Sequence, residues 1–154
     1  MLKQLLPRSL DNTYRGNRLA LWLFGLVTLM RTFQSLVVIF DSYSTAVRAD
    51  GIPLDSYPHD AAQTIAAIFA LSGLSRLIIS LVCVVVLVRY RSAVSFMLAV
   101  VLLNYLAAQV LLKFVPIVRV GSPPASVVNL TLLALTLVGF VLSLWRRKDA
   151  PALP

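Results

Sequence analysis

The stretch LVTLMRTFQSLVV, residues 26–38, decides how the chain is read. It is the middle of a longer apolar run, Leu19 to Phe40, of the roughly 20 residues that a bilayer core demands. Backbone groups find no water in a bilayer core, so a crossing segment of this kind is a helix. Yet the stretch carries Arg31, whose guanidinium does not lose its proton.

Three more runs of similar character follow: Ala61 to Val88, Ala93 to Val115 and Ala125 to Trp145. The pattern predicts an all-α fold, an integral membrane four-helix bundle, as a single domain over residues 1–154 with a long outer loop at 41–60. Composition agrees. Hydrophobic residues make up 59% of the chain and the mean hydropathy is +0.87, beyond the range of ordinary soluble domains. Lys and Arg number 14 against 6 acids, all of them Asp, for a net charge of +8. Such an excess suits nucleic acid or a membrane surface. The basic residues cluster at the ends of the apolar runs, which favours the membrane and argues against a nucleic-acid partner.

The single cysteine, Cys83, lies deep in an apolar run, so the chain has no pair for a disulfide or a thiol relay. The single histidine, His59, sits in a polar loop without a second ligand type beside it, so neither a metal site nor a His-ligated haem is expected. No Rossmann, P-loop or zinc motif and no internal repeat is present.

Boundary signals are explicit. Asp60, just after Pro58, is placed to N-cap the second helix. RYRS (89–92) is a tight turn, and PIVRVGSPP (116–124) separates the third and fourth helices. The second run is long, about 42 Å at roughly 1.5 Å per residue, so it must tilt, protrude or bend, with SGLS (72–75) the expected bend. Lys3, Arg8, Arg15 and Arg18, then Arg89 and Arg91, then Arg146, Arg147 and Lys148 fall on one side, which predicts both termini in the cytoplasm of a bacterial cell, with the chain in the inner membrane. The first run has a poor cleavage site behind it at Val47-Arg48-Ala49, so it is expected to stay as a signal anchor.

Arg31 is not isolated. It lies 13 residues from Arg18, Arg76 lies 13 from Arg89, and Asn104 lies 13 from Arg91. All three therefore sit about 20 Å from the cytoplasmic edge. Three- and four-residue spacing puts Thr28, Arg31, Gln34 and Ser35 on one face, and Ser72, Arg76, Ser80 and Cys83 on another. Polar and small faces turn inward in bundles, where helices hydrogen-bond to one another. No acid lies in any span, although an arginine at mid-membrane costs roughly 2.5–3.5 kcal/mol. Candidate counter-ions from the outer loop are Asp41, Asp55 and Asp60. Otherwise the charges are met by snorkelling to headgroups, a lipid phosphate, an anionic ligand or another subunit.

In the segments YRGNRLALWLFGLV, ADGIPLDSYPHDAAQ and VLVRYRSAV the chain resembles uncharacterised small four-span bacterial inner-membrane proteins. The resemblance covers most of the chain and implies a fold but no activity. Two function classes remain open. One is a non-catalytic accessory or assembly subunit of a larger membrane complex or homo-oligomer. The other is a binder or carrier of an amphiphilic anion, such as a lipid, fatty acid or quinone, through Arg31, Arg76, Asn104 and Gln34. No catalytic residue is assigned, because acid–base chemistry needs groups that titrate near neutral pH and the spans hold no His, Asp or Glu.

Overall fold

The computed structural model describes residues 11–14 and 16–145. The basic residues Lys3, Arg8, Arg15, Arg146, Arg147 and Lys148 lie outside them. Among the described residues there is no strand, and four helices are long and apolar enough to cross a membrane. They are α1 (Arg18–Phe40), α2 (His59–Arg89), α3 (Val94–Phe114) and α4 (Pro124–Leu144). The chain is a multi-pass, all-α membrane protein.

Each helix begins for a local reason. Asn17 caps α1, its side-chain oxygen accepting from the Leu19 N–H at 2.9 Å. Pro124 opens α4 at a first-turn position where its missing N–H costs nothing. The start of α2 corrects the sequence expectation. The cap residue is Pro58, without a side-chain cap bond, and Asp60 falls inside the first turn, where its charge faces the positive end of the helix dipole. No break occurs at 72–75: α2 is a continuous helix of 31 residues.

α1 packs along α2 for much of its length and along α4 on another side, and α3 leans chiefly on α4. Close approach of α1 and α2 is set at Gly73, whose missing Cβ makes room for Val38 and Ile39. The main core gathers Phe24 and Val27 of α1, Cys83 and Val86 of α2, Val94, Met97, Leu98 and Val101 of α3, and Leu132 of α4. It lies toward the end of the bundle that carries Arg18 and Arg89. The segment before α1 closes this end, since Asp11 and Ser92 exchange bonds: Asp11 N–H to Ser92 Oγ at 3.1 Å, Ser92 Oγ–H to Asp11 O at 2.9 Å.

At the other end, the loop between α1 and α2 is folded rather than slack. One helical turn (Ser42–Ser44), a π turn (Thr45–Ala49) and a 3-10 turn (Leu54–Ser56) wrap a small core of Ala46, Ile52, Leu54 and Ala62. The Val120 N–H donates to Gly51 O at 2.8 Å, which ties this loop to the α3–α4 connection. Gly51 has φ +72°, and a Cβ there would stand 2.9 Å from Val120 O, so only glycine fits both the turn and the contact.

Candidate functional site

The buried stripe of α3 runs Val94, Leu98 and Val101, at the spacing of one helix face. The next position, Tyr105, is half-buried, and Ala108 and Gln109 beyond it are exposed. α3 therefore leaves the bundle after Tyr105. On α2, Arg76 shares the stripe of Gly73, Ser80 and Cys83, all three buried, yet is itself exposed. One turn nearer the loop on the same stripe, Gly73 is buried against Val38 and Ile39 of α1, so the exposure of Arg76 is local to its own turn. Asn104 and residues 106–111 of α3 are exposed at and beyond this level.

Arg31 of α1 is only 6% exposed. Its Nη2 donates to Asn104 Oδ1 at 3.3 Å, and its guanidinium carbon stands 4.8 Å from the centre of the Tyr105 ring, in cation–π range. Its Nη1 is buried without a hydrogen-bond partner among the described residues. Ser80 Oγ, one turn from Arg76, is buried in the same condition. Both Arg31 and Arg76 are within electrostatic reach of the Tyr105 hydroxyl. The Ser35 hydroxyl is satisfied within α1, donating to Arg31 O at 2.7 Å.

Of the residues singled out by spacing, Arg31 and Asn104 are in direct contact, and Arg76 joins them around Tyr105. Gln34 is half-buried one turn further along α1, and no bond links it to this group. The loop acids are placed differently from the expectation. Asp41 is exposed and ends α1 with its own N–H, which donates to Val37 O at 2.9 Å. Asp55 is exposed and accepts from the Tyr43 hydroxyl at 2.7 Å, and Asp60 is exposed in the first turn of α2. The acid that feels an intramembrane arginine is Asp50, half-buried and within electrostatic reach of Arg119 and Arg76. Linear spacing missed it, because its distance along the chain from Arg76 conceals a reach that only the folded loop provides.

Burial raises the Asp50 carboxyl above the usual carboxylate range, and Arg119 and then Arg76 pull it back only in part. A carboxyl raised in this way binds its proton more tightly folded than unfolded. Its contribution to stability is therefore full at low pH and is lost as the pH rises through its folded value. Asp50→Asn is expected to leave thermal stability in detergent at neutral pH unchanged or higher, and to flatten its dependence on pH in the carboxylate range. A clear drop at neutral pH would mean that the pairing with Arg119 and Arg76 outweighs desolvation.

The fold defines a class: a multi-pass membrane protein whose helices bury Arg31 against Asn104 and Tyr105. No known family, curated protein or solved structure matches the chain.

Proposed function

We propose that the protein is a non-catalytic binder or carrier of an amphiphilic anion, a lipid, fatty acid or quinone-like molecule, whose polar head rests on Arg31. The observation that carries this reading is Arg31 Nη1, a charged donor buried without a hydrogen-bond partner among the described residues. Leaving such a donor unmet costs the desolvation of a charged group. An acidic oxygen at that point supplies a charge-assisted hydrogen bond, and Arg76 adds a second positive charge. Asn104 is occupied in holding Arg31 and thereby positions the guanidinium.

A second reading, an accessory or assembly subunit, is favoured by a different observation. Arg76 and Asn104 are both exposed at mid-span, where lipid tails are poor neighbours for either. No acid lies at the depth of Arg76 and Asn104 in any of the four helices, whereas a partner helix with a carboxylate or free carbonyls at that depth supplies a counter-charge. Purification in mild detergent with mass measurement and extraction of bound small molecules separates the two. A stoichiometric anionic amphiphile supports the first reading, and a larger heteromeric mass without one supports the second.

The proposed setting is a bacterial inner membrane, with the end that carries Arg18, Arg89 and Arg91 toward the cytoplasm. Single cysteines at Ser56 and Asn12, both exposed, are expected to react with an impermeant reagent from opposite sides, with Ser56 reached from outside. The native Cys83 is buried and should stay silent. Labelling of both positions from one side would overturn the threading.

A further inference from the structure

A recess lies in the outer loop, with a lining distinct from the residues around Arg31. It encloses about 390 Å³ between Tyr43, Asp55, Tyr57, His59 and Gln63, over a floor of Leu54 and Ala62. The floor is fixed, because Leu54 and Ala62 are buried in the loop's own apolar core with Ala46 and Ile52. The walls are fixed by bonds. The Tyr43 hydroxyl donates to Asp55 Oδ1 at 2.7 Å and sets the plane of the carboxylate, whose second oxygen makes no hydrogen bond among the described residues. The Gln63 amide nitrogen lies 3.0 Å from His59 Nε2 and ties the two side chains together.

The chemistry of this lining is one-sided. It presents one carboxylate, two phenol rings and no Lys or Arg. A negative charge beside aromatic faces favours a cation. A metal is a poor match. Among the described residues no group of three or more His, Cys, Asp or Glu could hold one, and a hard divalent ion needs about six to eight oxygens. An organic ammonium group needs fewer directed ligands: one carboxylate for its charge and ring faces for its methylene or methyl groups. Height above the membrane fits as well, since the recess surrounds the exposed first turn of α2, where the helix leaves its apolar stretch.

We propose that this recess binds an organic ammonium group through Asp55, Tyr43 and Tyr57. The group comes either from an ethanolamine- or choline-bearing lipid headgroup in the adjoining leaflet or from a soluble amine. The site is independent of Arg31 and its neighbours.

The test uses the full chain in two arms. In detergent, tetramethylammonium chloride and ethanolamine hydrochloride are titrated while the His59 ring protons are followed by NMR, with sodium chloride matching ionic strength. In nanodiscs, retention of phosphatidylethanolamine is compared with that of phosphatidylglycerol by native mass spectrometry. Saturable binding of the soluble ions, weakened at least about tenfold in Asp55→Asn and in Tyr57→Leu, is the expected result. Preferential retention of phosphatidylethanolamine, lost in the same variants, assigns the lipid headgroup as the source. Soluble binding without that preference assigns a soluble amine. Both substituted side chains are exposed, so the variants should melt as the wild type does. Arg31→Gln, which alters no residue of this lining, should bind the ammonium probes unchanged. The proposal is overturned if neither probe saturates, if both loop variants bind as the wild type does, or if sodium chloride alone reproduces the shifts.

Discussion

Arg31→Gln should cut affinity for an anionic amphiphile tenfold or more while leaving the bundle as stable as the wild type or more so. The two effects have opposite signs for one reason. In the chain alone, the guanidinium is buried with one hydrogen bond to Asn104 and a ring contact to Tyr105, and Nη1 is unmet. Desolvation of that charge is only partly offset, and a neutral amide of similar reach removes the penalty. A bound anion reverses the balance. A hydrogen bond to a charged group is worth about 1.5–3 kcal/mol, which is tenfold or more in affinity at about 1.4 kcal/mol per decade. Arg76→Gln should follow the same direction with a smaller loss, because its exposed charge is screened more and costs less to hold. Melting in detergent and titration with a short-chain phosphatidic acid measure both quantities. Equal affinity for wild type and Arg31→Gln would leave Arg31 without a role in anion binding.

Gly73→Leu should be among the most disruptive single changes in the membrane-spanning part. A Cβ at Gly73 would stand 2.9 Å from Val38 Cγ1, 3.1 Å from Ile39 Cγ1 and 3.2 Å from Val38 Cβ. Val38 is buried and β-branched, and such side chains are held to one main rotamer on a helix, so it cannot swing aside. Overpacking of this kind costs about 1–3 kcal/mol, against a gain of roughly 0.5–1 kcal/mol for removing a mid-helix glycine. Gly73→Ala is therefore expected to destabilise modestly, and Gly73→Leu to push α1 from α2 and lower the melting temperature severely. Gly25 and Gly139 provide the contrast. A Cβ at either meets nothing closer than 3.5 Å, so alanine there should be tolerated or stabilising. If Gly73→Leu melts with the wild type, the tight α1–α2 contact is not what sets the bundle.

The four spans were legible because length and apolarity are demanded by the bilayer itself. Their exact ends were less so: Asp60 has the chemistry of a cap, but the fixed φ of Pro58 lets α2 start earlier, at His59. The contact of Arg31 with Asn104 followed from equal depth, since helices that cross one membrane share a common ruler. Equal depth carried no information about the divergence of α3 beyond Tyr105. In lipid, an apolar side chain is equally content against a helix or a tail, so hydropathy does not distinguish the covered Val101 from the exposed Leu103. Spacing likewise put Arg76 on the inward stripe, although it is exposed. The loop was legible as long and polar, but not as folded. Ala46, Ile52 and Leu54 become a core only when Ala62 of α2 joins them, and the folded loop brings Asp50 within electrostatic reach of Arg119 and Arg76.

In the proposed reading an anionic amphiphile binds with its head at Arg31 rather than along the lipid-facing surface at large. Photo-cross-linking tests it most directly. A phosphatidic acid analogue carrying a diazirine close to its headgroup is equilibrated with the full chain in nanodiscs, irradiated, and mapped by peptide mass spectrometry. The account predicts adducts concentrated on the α1 peptide that carries Arg31, the α3 peptide that carries Asn104 and Tyr105, and the α2 peptide around Arg76, all suppressed in Arg31→Gln. Adducts spread along the exposed faces of all four helices, and unchanged in that variant, would contradict it.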